Sequence, residues 1–276
     1  MRYKELFAYG VEKLKKAQIA EAELDARLLL EAICATNRSD LLIHGDREVE
    51  HEQEKSYIND IEKREQHIPL QHILGYQEFM GLQFYVDQNV LIPRQDTEIL
   101  VEEVLRNLHD GMKILDMCTG SGCILISLLH YSNYCVGTGT DLSLEALKVA
   151  ERNASQLGVK ALFFESDLFE NIQDKFDIIV SNPPYIASHV IPELMTEVRD
   201  FEPLMALDGK EDGLFFYREI IKQAISHLNG GGGLFFEIGY DQGEAVAELM
   251  KAAEFIEVEI IKDFAGLDRV VCGYHI

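Results

Sequence analysis

Phe176-Asp177-Ile178-Ile179-Val180-Ser181-Asn182-Pro183-Pro184-Tyr185 is the stretch whose reading decides the fold. Its first six residues form an apolar run of the length of a buried strand. Two consecutive prolines then stop the strand and stiffen the turn that follows. The pattern predicts a rigid loop at the C-terminal end of a strand, where open α/β sheets hold their ligands. Asn182 brings a side-chain carbonyl, which accepts hydrogen bonds. Pro183 brings a backbone carbonyl at a fixed φ and has no N–H. Tyr185 brings an aromatic face. Two acceptors beside an aromatic plate suit a planar –NH2 group. A ligand-free proline-rich turn would use the same residues, so the stretch has to be read with its surroundings.

Upstream and downstream, the pattern is alternating β and α. Strands are expected at 112–116, 135–140, 161–164, 176–181, 233–238, about 255–262 and 269–274. Helices are expected at 123–131, at 144–157 with a stop at Gly158, at 213–228 and at 244–253. Such repeats predict a mostly parallel seven-stranded sheet covered on both faces. Met117-Cys118-Thr119-Gly120-Ser121-Gly122 is a Gly-rich loop after the first strand, and Asp141 ends the second. That layout binds nucleosides, the acid accepting from ribose hydroxyls. The third glycine of a dinucleotide fingerprint is missing, since Leu125 stands in its place. With Asp116 also at the first strand's end, a nucleoside lacking a pyrophosphate fits better than NAD. Asp167 follows the third strand and could accept from an adenine amino group, with Leu168 and Phe169 covering the ring. Each acid alone could be a helix cap, but four such loops on successive strands argue for a site.

Residues 1–75 read as helical. Phe7, Val11 and Leu14, then Leu24, Leu28, Leu29, Ala32 and Ile33, then Tyr57, Ile58 and Ile61 fall at helical spacing. Breaks are expected at Asn37-Arg38-Ser39 and Gly45-Asp46. A β-hairpin turning near Gly81 is placed in a linker at 76–90, followed by the α/β domain at 91–276. Asp96 or Thr97 is expected to cap the helix running to about Leu108.

The chain has 276 residues, 47% of them hydrophobic, with no apolar run long enough to span a bilayer. No apolar segment follows Met1-Arg2-Tyr3-Lys4-Glu5, so a signal peptide is not expected. Five cysteines without a C-x-x-C pair read as free thiols of a reducing cytoplasm. The nine histidines lack metal spacing, and no metal site is expected. The net charge of −23 argues against a partner with a phosphate backbone.

D-x-x-T-G-S-G at 116–122, D-L-S at 141–143, D-L-F at 167–169 and S-N-P-P-Y-I at 181–186 together resemble the S-adenosylmethionine-dependent amino-group methyltransferases. Ile92-Pro93-Arg94 with Thr97-Glu98, Glu197-Val198, Phe201-Glu202-Pro203, Asp212-Gly213-Leu214, Glu237-Ile238-Gly239 and Gly266-Leu267-Asp268-Arg269 narrow the resemblance. They are closest to the glutamine N5-methyltransferases of peptide-chain release factors. The resemblance covers about 69–276, and a helical N-terminal domain also fits the family. It implies a Rossmann-like methyltransferase domain at 91–276 and substrate recognition by 1–75. Cys118, Thr119, Gly120, Ser121 and Gly122 would line the methionine part of S-adenosylmethionine. Asp141 would hold the ribose, and Asp167, Leu168 and Phe169 would meet the adenine. Asn182, Pro183, Pro184 and Tyr185 would hold the glutamine amide of a Gly-Gly-Gln loop, Asn182 as the catalytic residue. The family usually has Gly at the position of Cys118 and Pro at that of Gln95. A monomer acting on a release factor, with no direct nucleic-acid or membrane contact, is expected. Other readings are a ribosomal-protein glutamine methyltransferase and an N6-adenine nucleic-acid methyltransferase. A non-catalytic module and an NAD oxidoreductase fit less well.

Overall fold

The computed structural model describes residues 1–276. Two compact units emerge, Met1–Gly75 with Met195–Phe201, and the remainder. In the first, α1 (Tyr3–Lys16), α2 (Ala22–Cys34), α3 (Arg38–Ile43), α4 (His51–Glu65) and α5 (Leu70–Leu74) enclose a core around Leu6, Leu14, Leu30, Tyr57 and Ile61. The phase of α2 differs from the sequence expectation. Leu24 is exposed, while Ala26, Leu29 and Leu30 are buried. Asp25 joins that buried face because Arg64 meets it there, Nε to Oδ2 at 2.7 Å. The same guanidinium donates to the Ile68 carbonyl at 3.2 Å and to Glu197 at 2.7 Å. A charge this deep is tolerated only when so fully partnered.

The second unit starts with a hairpin, β1 (Tyr76–Phe79) and β2 (Leu82–Tyr85), whose turn residues Met80 and Gly81 both have positive φ. Two-residue hairpin turns of this hand match the strand twist. There follow α6 (Thr97–Asn107), β3 (Lys113–Met117), α7 (Cys123–Tyr131), β4 (Val136–Asp141), α8 (Leu144–Leu157), β5 (Leu162–Glu165) and β6 (Phe176–Ser181). Then come α9 (Thr196–Phe201, part of the first unit), α10 (Phe215–His227), β7 (Leu228–Glu237), α11 (Gly243–Ala252), β8 (Ile256–Lys262) and β9 (Asp268–Tyr274). The sheet order is β5-β4-β3-β6-β7-β9-β8, parallel except for β9, which pairs antiparallel with both β7 and β8. This is the expected seven-stranded, mostly parallel sheet.

β7 begins at Leu228, five residues before its expected start, so Leu228 belongs to the strand and not to α10. Four glycines, 230–233, hide this extension from a hydrophobic pattern. Asn229 secures it by donating to Asp177 at 2.7 Å. Two apolar clusters cover the two faces of the sheet. One holds Leu115, Ile179, Phe236, Tyr217 and Ile220; the other holds Ile114, Ile178, Phe235, Leu100 and Leu125. Strand neighbours thus alternate between faces, as the pleat requires.

Candidate active site

The chain winds outward from β3 through β4 to β5, then crosses back to β6 on the other side of β3. That reversal opens a crevice at the carboxyl ends of β3 and β6. Met117 and Ser181 are register partners, and Ser181 Oγ donates to the Met117 carbonyl at 2.7 Å. The loops that follow, from Cys118 and from Asn182, therefore start side by side. One cavity is lined by Cys118, Thr119, Gly120, Ser121, Asp141, Asp167, Leu168, Asn182 and Pro184 together with Arg94, Thr97, Met205 and Phe216.

The Gly-rich loop is organised by Asp116, which is fully buried. One oxygen accepts from Thr119 Oγ1 at 2.6 Å and from the Leu125 N–H at 3.3 Å; the other has no partner. Burial pushes this carboxyl up to about 7 against those two hydrogen bonds. Asp116 does not line the cavity. It shapes the loop from behind the cavity wall. Gly120 has φ +53, and a Cβ there would meet no protein atom within 4 Å, so the cavity reaches its backbone. Gly122 does different work. With φ +78 it opens α7, and a Cβ would press Ile126 at 2.9 Å and Ala150 at 3.1 Å. It keeps helix against helix and stays out of the cavity wall.

Asp141 accepts from the Gly120 N–H through one oxygen and from the Ser143 N–H through the other, both at 2.9 Å. Each oxygen keeps a further lone pair for a hydroxyl. Burial raises its carboxyl, and those backbone donors oppose the rise. Cys118 adopts φ +60, a backbone region that suits the glycine usual at this position. Its thiol is raised by burial and by the charges of Asp141 and Asp116, so it stays protonated and unreactive at neutral pH.

Phe169 does not cover the cavity. It is buried in the core and stacks on His227, centroids 4.4 Å apart. Ser166 explains the turn. Its hydroxyl donates to the Leu168 carbonyl at 2.7 Å and accepts from the Asn171 N–H at 3.0 Å. Leu168, at φ +48, then faces the cavity and Phe169 faces inward.

In the Asn182 loop, Asn182 and Pro184 line the cavity, while Pro183 and Tyr185 do not. Asn182 Nδ2 donates to Thr97 Oγ1 at 3.5 Å. Neither Asn182 Oδ1 nor the Pro183 carbonyl accepts a hydrogen bond from the protein. The Tyr185 ring packs on the core, and its hydroxyl donates to Glu237 at 3.4 Å. Gln242 holds the Tyr185 carbonyl at 3.0 Å. Tyr185 thus braces the loop from behind. Its hydroxyl is raised by burial and by Glu237.

Three residues beyond those singled out belong to this neighbourhood. Thr97 is buried and lines the cavity, and Asp96, expected as a cap, makes no capping bond and pairs with Arg269 at 3.1 Å. Glu237 is 1% exposed, with burial driving it up to about 7. Arg94 lines the cavity and pairs with buried Glu202 at 2.5 Å. The motifs Ile92-Pro93-Arg94, Thr97-Glu98 and Glu237-Ile238-Gly239 contained the signal, but a lone sequence does not tell which face such residues present.

Comparison with known proteins gives the family of the chain. The family model described as PrmC N-terminal domain matches residues 5–75, and that described as methyltransferase small domain matches 94–198. The chain is 42% identical over 280 residues to the release factor glutamine methyltransferase of Clostridium botulinum, covering 98% of each chain. To that of Geobacter sulfurreducens it is 40% identical, over 94% of this chain and 92% of the relative. Among solved structures, a methyltransferase from Pyrococcus furiosus superposes with TM-score 0.54 at 17% identity, covering 72% of this chain and 91% of that one. The Thermus thermophilus 16S rRNA N2 G1207 methyltransferase, in complex with AdoMet and guanosine, gives 0.52 at 17% identity, covering 73% and 50%. These two share the fold. With its fold, its crevice and its full-length relatives in agreement, the chain belongs to the release factor glutamine methyltransferase family.

Proposed function

We propose that this protein moves a methyl group from S-adenosylmethionine to the side-chain amide nitrogen of a glutamine, the one in the Gly-Gly-Gln loop of peptide chain release factors. The observation that carries the reading is the pair of unfilled acceptors, Asn182 Oδ1 and the Pro183 carbonyl, beside a cavity that also holds Asp141. The cavity fits the cofactor's chemistry. Asp141 offers carboxylate lone pairs to a ribose diol. Leu142 and Leu168 offer apolar surface to an adenine, and the bare Gly120 backbone admits the methionine part. Cys118 to Ser121, Asp141, Asp167 and Leu168 would hold it. When bound, S-adenosylmethionine supplies an electrophilic methyl group on a positively charged sulfur.

The protein's own task is to make an amide nitrogen nucleophilic. In a glutamine the nitrogen lone pair is delocalised into the carbonyl. Asn182 Oδ1 and the Pro183 carbonyl, each accepting one N–H, favour a pyramidal nitrogen whose lone pair points into the cavity. With S-adenosylmethionine held there, the methyl would pass from its sulfur to this nitrogen, and the nitrogen's surplus proton would leave to water. Positioning and electrostatics supply the rate. Asn182→Ala is expected to keep cofactor affinity, measured by calorimetry, and to lose about 10²–10³ in turnover. Near-normal turnover in that variant would contradict the assignment.

A further inference from the structure

Behind the Asn182 loop, outside the cavity wall, one side-chain amide joins three segments of the chain. We propose that Gln242, the residue before α11, is a positioning residue for the methyl transfer, an inference that rests on the function proposed above. It latches the exit of the Asn182-Pro183-Pro184-Tyr185 loop to the stretch 207–213. The two acceptors that would grip the glutamine amide are thereby held in place.

A backbone group sets the direction of the Gln242 amide. The buried Gly239 N–H, just past the end of β7, can only donate, and it does so to Gln242 Oε1 at 3.0 Å. The amide nitrogen must then face the other way. Its two protons meet two carbonyls there, Tyr185 at 3.0 Å and Gly213 at 3.4 Å. A flipped amide would set N–H against N–H and oxygen against both carbonyls. Gly213 lets the segments come this close. At φ +75, a Cβ there would lie 2.4 Å from the Tyr185 oxygen and 2.7 Å from Gln242 Nε2. A second tie follows at once. The Ile186 N–H donates to the Leu207 carbonyl at 3.0 Å, and the Gly209 N–H donates to the Ile186 carbonyl at 2.8 Å. The stretch 207–213 is thus clipped to Ile186 by its backbone and to Tyr185 by Gln242. Ala206, Lys210 and Phe216, in or beside that stretch, line the same cavity as Asn182 and Pro184. The entry of the loop is fixed by β6, and its prolines stiffen the middle. Its exit depends on the Tyr185 carbonyl, which follows closely on the Pro183 carbonyl. Gln242 does not line the cavity, so it reaches a substrate only through the loop. A misplacement of about 1 Å at a reacting centre can cost about 10²-fold in rate.

Two variants and two measurements test this. Gln242→Glu keeps the shape and an oxygen for the Gly239 N–H but, once ionised, has no donor; Gln242→Met keeps the length and loses donor and acceptor alike. Both are studied at about pH 8, where a half-buried carboxyl is ionised. The first measurement is amide hydrogen exchange in the substrate-free proteins, read by NMR. Exchange at the Ile186 and Gly209 amides is expected to quicken about tenfold in both variants, as for one lost hydrogen bond, while Ile179 in the middle of β6 keeps its rate. Unchanged exchange at Ile186 and Gly209, or an equal quickening at Ile179, overturns the proposal. The second is methylation of a release factor. Both variants should lose about 10–10²-fold in kcat, with KM and calorimetric cofactor affinity within about twofold. An unchanged kcat, or a loss confined to KM or to cofactor binding, also overturns it. Exchange needs no substrate. Failure of the unaltered protein to methylate a release factor would therefore count against the function alone.

Discussion

Asp116 shapes the Gly-rich loop from outside the cavity wall. Its carboxyl is held at about 7, against an ordinary value of 3.8, because burial outweighs two hydrogen bonds. A carboxyl raised in the folded state contributes stability that is complete below the unfolded value and is lost as pH rises through the folded one. Asp116→Asn keeps an acceptor for Thr119 and Leu125 and removes the titration. Its stability relative to the unaltered protein should therefore rise between pH 4 and pH 8 by at most about 4 kcal/mol, the upper figure for a shift of this size. Urea unfolding at both pH values checks it. A constant difference would mean that Asp116 ionises normally. Taking the difference between variants cancels the general self-repulsion of a chain with net charge −23.

At the scale of elements, Asn153 on α8 ties three segments together. Its Oδ1 accepts from the Tyr85 N–H at 2.7 Å, and its Nδ2 donates to the Tyr85 carbonyl at 3.1 Å and the Ser121 carbonyl at 2.9 Å. The hairpin is thus pinned to the Gly-rich loop. Asn153→Ala is expected to cost about 2–4 kcal/mol in urea unfolding, since it leaves buried backbone groups unpaired. It should also weaken S-adenosylmethionine binding, measured by calorimetry. Wild-type values of both would show that the loop holds its shape unaided. None of these contacts was legible in the sequence, whereas the elements were. β3 and β6 are short apolar runs ended by Gly or Pro signals, β4 ends at Asp141, and α8 spans Leu144–Leu157 with its stop at Gly158, as expected. Loop positions were legible too, because a parallel sheet places every chemical loop at one edge. Side-chain direction was not. Leu168 and Phe169 are chemically alike neighbours, and a buried hydrogen bond from Ser166 decides which faces the cavity. Thr97 reads as a cap because its burial at the cavity wall depends on where α6 packs. The same limit applies to α9, whose place with the N-terminal helices depends on the distant Arg64.

For the whole molecule, charge and substrate belong to one argument. Residues 1–80 hold 11 basic and 16 acidic residues, a net of −5, and the remainder carries −18. Such a surface suits a partner with a basic face, as expected of a factor that works against ribosomal RNA. Association with a release factor is therefore expected to slow by roughly an order of magnitude between low and high salt, as followed by stopped-flow mixing. A rate indifferent to salt would remove charge from the recognition. Glutamines are common in proteins, so selection of one requires contacts away from the amide, and the helical unit is the proposed source of them.

Most direct is a measurement of where the methyl group goes. The protein is incubated with methyl-labelled S-adenosylmethionine and, in separate reactions, a release factor, a ribosomal-protein extract and DNA, and the products are mapped by mass spectrometry. The label is expected on the side-chain nitrogen of the Gly-Gly-Gln glutamine of the release factor, and to be lost with Asn182→Ala. Label on DNA, or on a ribosomal protein with the release factor left unmodified, would contradict the proposed substrate.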